Sequence, residues 1–315
     1  MKKIAVMGAN AARQKTLKFN SFNYGEVNRA VSMDVCAAGK GINFCRAAGV
    51  YGQAYGVLIQ FAGGENGRFI ENFLREEKLD VVNIRTAAPT RCCITCLDVQ
   101  NQVMTEVIEP SFPATADECD EFIKAFCAAL KDADGAAICG SLPDGTDPSL
   151  YLSAGSAALD AGVPLLLDAY KNLETLLLKG GNIILKINRE ELAKLTGVEG
   201  VEAGLIKLFD TYSIRYAAIT DGSSTAYASD GKTLATFAIP EVDPVVNPIG
   251  CGDTASAVLM SELCCGCDFF EAFRRALGCA SANVMSLMPG DFDVATAKLL
   301  AGKTVVAENI LNRSV

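Results

Sequence analysis

Apolar positions fall along the chain in short blocks of two kinds. Residues 4–8, 136–141, 165–168 and 183–187 are nearly unbroken apolar runs closed by Gly, Ser, Asp or Asn, the pattern of strands buried on both faces. Between the later runs, residues 117–131, 148–161, 171–179 and 189–195 repeat apolar side chains at helical spacing. This alternation predicts an α/β fold: a central, mostly parallel sheet with helices on both faces. A helix is also predicted over residues 42–51, ending at Gly52, and another over 67–78. Short strands are expected at 216–220, 225–229 and 234–239, with long helices starting near Thr254 and Phe269.

Two stretches break this pattern. Residues 16–22 and 26–34 alternate imperfectly around Asn23-Tyr24-Gly25, and residues 90–99 and 103–108 flank Gln100-Asn101-Gln102 with β-branched residues on both arms. Both read as ribbons forming a small sheet outside the core. The expected division is a core of residues 1–9, 36–89 and 112–315, and a small sheet of residues 10–35 and 90–111.

Composition narrows the function classes. A chain of 315 residues, 50% apolar, buries a large core and is not disordered. Its 28 basic and 37 acidic residues give a net charge of -9, with no block of like charges, which disfavours a nucleic-acid partner. No uncharged segment reaches membrane-spanning length, and the apolar run behind Lys2 and Lys3 is too short for a signal peptide. Thirteen cysteines, an odd number, point to reduced thiols, so a cytoplasmic setting without a membrane partner is expected. Cys92-Cys93-Ile94-Thr95-Cys96 and Cys264-Cys265-Gly266-Cys267 lack paired knuckle spacing and read as small apolar filler rather than zinc sites. Histidine is absent, which excludes Ser-His-Asp chemistry and leaves Asp, Glu, Lys, Tyr or Cys to move protons.

The chain is organised around Val246-Asn247-Pro248-Ile249-Gly250-Cys251-Gly252-Asp253-Thr254, which precedes a helix-forming run. With a helix starting near Gly252, its free N–H groups and positive dipole end make an anion site. Asp253 beside a bound phosphate would repel it unless the carboxylate takes a proton from an attacking hydroxyl. The same residues are also ordinary helix-start residues, with Asp253 as a simple cap. Ala38-Gly39-Lys40-Gly41-Ile42-Asn43 offers close backbone approach, a lysine and an amide in one turn, suited to sugar hydroxyls and a phosphate. It is not a Walker A loop, because no Ser or Thr follows the lysine; a glycine-rich turn with a solvated lysine is the plain alternative. Gly140-Ser141, Asn188, Thr220-Asp221-Gly222 and the Gly250 loop all fall at expected strand ends, where ligands of open sheets collect, so they are expected to share one cleft.

Four of these motifs in order, Gly39-Lys40-Gly41-Ile42-Asn43, Gly140-Ser141-Leu142-Pro143-Asp144-Gly145, Lys186-Ile187-Asn188-Arg189-Glu190-Glu191-Leu192 and the Gly250 stretch, resemble the PfkB, or ribokinase-like, sugar kinases. Gly25-Glu26-Val27-Asn28-Arg29-Ala30, Thr90-Arg91 and Thr105-Glu106 with Glu109-Pro110 extend the resemblance to the 1-phosphofructokinase and tagatose-6-phosphate kinase branch. The resemblance implies a ribokinase-like fold in which the small sheet is a β lid that excludes water and pairs with a second copy as a homodimer. It implies ATP and Mg²⁺ as cofactors. Asp253 would be the general base, with the N–H groups of Gly250, Cys251 and Gly252 holding the transferring phosphoryl group. Lys40, Asn43 and Arg91 would hold a sugar phosphate, helped by Gly39, Ser141 and Gln14, with Arg29 reaching in from the lid or a neighbouring subunit. Lys186, Asn188, Thr220 and Gly222 would meet the nucleotide phosphates, Glu191 would hold Mg²⁺ through water, and Asn283 would lie beside the adenine.

The chain also departs from that family. Asn10-Ala11-Ala12-Arg13-Gln14 stands where the branch has Asn-Pro-Ala-x-Asp, so Gln14 replaces a carboxylate. Ala38 replaces a glycine, Ile187 a proline, and Thr220-Asp221-Gly222-Ser223 lacks a second glycine. The expected function is phosphoryl transfer from ATP to a ketohexose phosphate, fructose 1-phosphate or tagatose 6-phosphate. The alternatives are a kinase of an unphosphorylated sugar or nucleoside, and a catalytically weak binding protein.

Overall fold

The computed structural model describes residues 1–311. In chain order its strands are β1 (Lys2–Met7), β2 (Ala12–Phe19), β3 (Ser32–Ala38), β4 (Ala54–Gly63), β5 (Asp80–Thr86), β6 (Cys92–Asp98), β7 (Val103–Ile108), β8 (Gly135–Cys139), β9 (Leu165–Asp168), β10 (Ile183–Asn188), β11 (Tyr216–Asp221), β12 (Thr225–Ser229), β13 (Thr233–Ala238) and β14 (Val305–Ile310). Its helices are α1 (Lys40–Tyr51), α2 (Gly64–Glu76), α3 (Ala116–Leu130), α4 (Ser149–Asp160), α5 (Glu174–Lys179), α6 (Arg189–Thr196), α7 (Val201–Thr211), α8 (Cys251–Cys264), α9 (Phe269–Asn283) and α10 (Val294–Lys303).

Ten strands make one sheet in the order β14-β13-β12-β11-β10-β9-β8-β1-β4-β5. From β11 to β5 the neighbours are parallel, and β12 to β14 are added antiparallel. The period of two decides which helix layer each residue meets. Ile4 and Val6 of β1 pack with α1, α8 and α9, whereas Ala5 and Met7 pack with α3, α4 and α7. The expected mostly parallel sheet with helices on both faces is what forms.

The remaining four strands form a separate sheet, β3-β2-β6-β7, reached from the carboxyl ends of β1 and β5. Register assigns each residue to one of its two faces. Leu17, Met33, Cys96, Ile94 and Val107 share one face with Arg13 and Lys15. Gln14, Thr16, Asp34, Thr95 and Glu106 fall on the other face, together with Cys36, Cys93 and Ile108.

Several boundaries differ from expectation. The first ribbon is not a tight hairpin over 16–22 and 26–34: β2 begins at Ala12, residues 20–31 are a long loop, and β3 runs to Ala38, past the expected edge at residue 35. Small residues carry both strands into the core, Ala12, Ala37 and Ala38 all being buried, so hydrophobic patterning understates them. The helix expected at 67–78 starts at Gly64, directly off β4, a strand the sequence reading did not place. Gly56, in that strand, leaves room for Cys45 of α1, whose sulfur would be 2.5 Å from a Cβ there. The elements β5, α7, α10 and β14 are likewise additions to the sequence reading.

Candidate active site

The Gly250 loop is built as a rigid platform. Val246 and Asn247 both donate their N–H to Val284 O, Asn247 Nδ2 donates to Leu287 O at 2.8 Å, and Ile249 N donates back to Asn247 Oδ1 at 3.0 Å. Gly250 then takes φ 85°, a left-handed conformation in which a Cβ would meet Pro289 at 2.8 Å. Helix α8 starts one residue earlier than expected, at Cys251. Its first helical bond runs from Thr254 N to Gly250 O, so the amides before Thr254 have no helical partner.

Beneath this platform two carboxylates and two lysines meet. Asp253, in the first turn of α8, is buried and accepts a 2.7 Å hydrogen bond from Asn43 Nδ2. Asp168, the last residue of β9, accepts from Lys40 Nζ at 2.8 Å, Lys186 Nζ at 3.4 Å and Ser256 Oγ at 2.6 Å. Lys186 lies directly under Gly252, where a Cβ would stand 2.9 Å from its Nζ.

The two acids are driven apart. Burial pushes Asp253 up to about 6 and the charge of Asp168 adds to the rise, while Lys40, the Asn43 amide and Lys186 pull it back. For Asp168, burial acts upward too, but Lys186, Lys40 and the bonds from Lys40 and Ser256 outweigh it and hold the carboxyl well below its usual range. Lys40 is raised, chiefly by Asp168. Its side chain is still 41% exposed, against 2% for Asp168, so this ammonium is the part of the cluster that opens outward. Two neighbouring acids with separated titrations, one ionised and one poised near neutrality, are the arrangement a general base requires.

Next to the platform lies a cleft of about 600 Å³. It is lined by Thr220 and Gly222, by Cys251 and Gly252, and by Leu277 and Ala280 of α9 with Val284 just past its end. Those α9 positions share one helical face, and Asn283 is off it. Asn283, expected beside the adenine, has a fully buried side chain turned toward α8, accepting from Thr254 Oγ1 at 2.7 Å and Gly290 N at 3.2 Å. It braces the Gly250 loop and does not line the cleft.

Asn188 and Glu191 stand at the cleft end of β10 and form a capping box, Asn188 Oδ1 accepting from Glu191 N at 2.8 Å and Glu191 Oε2 from Asn188 N at 2.9 Å. At the other end, Ser141 Oγ accepts from Asn10 Nδ2 at 3.2 Å, and Arg91 Nη2 donates to Asn10 O at 3.3 Å beside a small recess. Gln14 is buried in β2, with Nε2 given to Thr95 Oγ1 at 2.7 Å. Gly39 joins β3 to α1 and sets Lys40 at the helix start. Arg29 stands exposed in the 20–31 loop and makes no hydrogen bond to any of these groups. Asp168, Asn10 and Ser256 were not singled out in the sequence; the available signal was an acid closing the apolar run Leu165-Leu166-Leu167. Among the described residues no cluster of acids, cysteines and histidines forms a ready metal cage.

The sequence matches the pfkB family of carbohydrate kinases over residues 1–291. The chain belongs to that family. A tagatose-6-phosphate kinase from Staphylococcus epidermidis is 26% identical over 296 residues, covering 91% of this chain and 94% of that protein. Among solved structures, phosphofructokinase-2 from Escherichia coli in complex with potassium superposes with a TM-score of 0.86 at 19% identity, covering 96% of this chain and 99% of that one. A possible 1-phosphofructokinase from Thermotoga maritima gives 0.83 at 18%, covering 98% and 99%. This carbohydrate kinase thus has the ribokinase-like fold, and no helix among its described residues is long and apolar enough to cross a membrane.

Proposed function

We propose that this kinase transfers the γ-phosphoryl group of ATP to a hydroxyl of a ketohexose phosphate, tagatose 6-phosphate or fructose 1-phosphate, with Asp253 as general base. The observation that carries the reading is Asp253 itself: a buried carboxylate pushed up to about 6, beneath the unpartnered amides of a helix start. As the acceptor oxygen attacks the γ-phosphorus its proton passes to Asp253, and ADP leaves. The amides of Gly250, Cys251 and Gly252, with Lys186 below them, are placed to stabilise the charge on the transferring group.

The 600 Å³ cleft, walled by apolar α9 residues and closed by Thr220 and Gly222, suits a nucleotide base and sugar. Mg²⁺, when bound with the nucleotide, supplies charge neutralisation across the phosphates. Magnesium keeps much of its water shell and needs only one or two carboxylates, and Glu191, in its capping box with Asn188, is the candidate to hold it through water. Lys40 and Arg91 are the cations for an anionic acceptor, with Gly39, Asn43, Ser141 and Gln14 around it.

The small sheet acts in this reading as a lid, with the face that carries Gln14 inward. Its other face leaves Met33 59% and Val107 53% exposed, and a second copy of the chain is the proposed cover, which would bring Arg29 near the neighbouring site. The acidic composition and the thirteen free thiols support a cytoplasmic setting.

Release of ADP from Mg²⁺-ATP, measured with tagatose 6-phosphate, fructose 1-phosphate, fructose 6-phosphate, fructose and a nucleoside, tests the proposal. A preference for a phosphorylated ketohexose supports it. Turnover confined to fructose or the nucleoside overturns the acceptor class.

A further inference from the structure

Behind the candidate base lies a buried cation that the chemistry above does not use. Arg46 of α1 is 7% exposed and directs five hydrogen bonds inward. Its Nε and Nη2 donate to the two Glu77 oxygens at 3.1 and 2.8 Å. Nη2 also reaches Ala37 O at 3.3 Å, and Nη1 reaches Pro289 O at 2.8 Å and Asn43 Oδ1 at 3.3 Å. Every N–H of the guanidinium is therefore directed at an acceptor.

The contact with Asn43 has a chemical consequence. A guanidinium has donors and no acceptor, so Asn43 must present its oxygen to Arg46. The amide then has only its NH₂ to offer on the other side, and that group meets Asp253 Oδ2 at 2.7 Å. We propose that Arg46 is a positioning residue for Asp253, acting through Asn43: it locks the amide orientation that holds the carboxylate ionised and aimed at the acceptor. Without the lock, Asn43 is free to turn its oxygen toward position 253, where it stabilises the protonated acid instead.

Other groups facing Asp253 do not give this control. Lys40 of α1 and Lys186 of β10 are shared with Asp168 of β9, and Cys139 of β8 and Cys251 of α8 are thiols held neutral by burial. Arg46 also ties the base to its surroundings. Pro289 packs on Gly250, and Ala37 belongs to the strand that leaves the small sheet, so one side chain links the anion platform, the base and the root of that sheet.

The inference rests on Asp253 as base for its functional meaning, yet its direct readout needs no substrate. The carboxyl ¹³C resonance of Asp253, assigned by its absence in Asp253→Asn, is titrated in the ligand-free protein. Arg46→Met is expected to raise the midpoint by about one pH unit, the scale of one lost hydrogen bond to a charged group. Arg46→Lys, still a pure donor, is expected to restore it. Because Arg46→Met also strips Glu77 and two carbonyls of partners, Arg46→Gln serves where the Met variant does not fold; its amide no longer dictates that of Asn43, and an upward shift is expected again. In an Asn43→Ala background, replacing Arg46 should add nothing. An unmoved midpoint in the Met or Gln variant, or equal shifts in Lys and Met, overturns the proposal and leaves Arg46 a structural brace. Full turnover of tagatose 6-phosphate by Asp253→Asn would instead overturn the general-base reading, whichever way the titration falls.

Discussion

The two ends of the candidate site are built to different standards. Around the Gly250 loop most polar groups have several partners: Asp168 takes three donors, Arg46 reaches five acceptors and Asn247 closes its own turn, while Asn283 Nδ2 is buried without one. In the small sheet Gln14 finds Thr95, Arg91 reaches a carbonyl with one nitrogen while its buried Nε stays unpaired, and every residue of β7 is exposed. On the proposed assignment, the difference means that the phosphoryl-transfer end is fixed before substrate arrives, whereas the acceptor end is completed by substrate and by whatever covers the sheet. Preorganised dipoles lower a barrier only if they need no rearrangement, so rigidity belongs where charge develops.

The largest expected effect breaks the rigid end. Asp253→Asn should slow turnover about 10²–10⁴-fold while leaving nucleotide affinity nearly unchanged. In the unsubstituted enzyme, kcat at saturating substrates should fall as pH drops through about 6, since the base must be ionised, and the substitution should abolish that limb. An unchanged rate would remove Asp253 from the chemistry.

At the acceptor end the effect should be smaller and selective. Arg91→Ala is expected to raise KM for a phosphorylated acceptor by about 10–100-fold, the scale of a lost hydrogen bond to a charged group, and to leave a neutral acceptor almost unaffected. Equal changes for both would cancel its phosphate role. Beyond it, Val107→Glu on the exposed strand β7 should lower the sedimenting mass to that of a single chain. A mass unaffected by this substitution would point to another interface.

The smallest expected effect concerns stability, and its sign follows from burial. Folding raises Asp253 above its unfolded value of 3.8, so the native state binds that proton more tightly, and the ionised carboxylate costs stability as pH rises through 3.8 to about 6. Asparagine carries no such penalty. Asp253→Asn should therefore be the more stable protein at pH 8, by about 1–3 kcal/mol, with the gap closing near pH 4. Thermal unfolding at the two pH values checks this.

The large sheet was legible because β8, β9 and β10 are continuous apolar runs punctuated by turn residues, a signal that survives without knowledge of neighbours. α7 was not, because Gly204 interrupts it; that glycine is there for a contact, since a Cβ would meet Leu192 of α6 at 2.9 Å. The site followed the same rule. Gly250 and Lys40 announce themselves through glycine and charge patterns and Asn188 through its place at a strand end, but the partnership of Asp168 with Lys186 joins the ends of two strands, and the inward turn of Asn283 is a matter of helical phase. Both are set by tertiary packing, which local patterning does not carry.

The two excursions that make the small sheet each leave the large sheet and come back at its carboxyl edge, β2 and β3 between β1 and α1, and β6 and β7 between β5 and α3. The inserted strands thus pair only with one another and contribute to none of the pairing registers of the ten-stranded sheet. On the proposed assignment, the part of the acceptor site that comes from Gln14 and Arg91 is in this sense a separable cassette, set upon a core whose pairing does not depend on it.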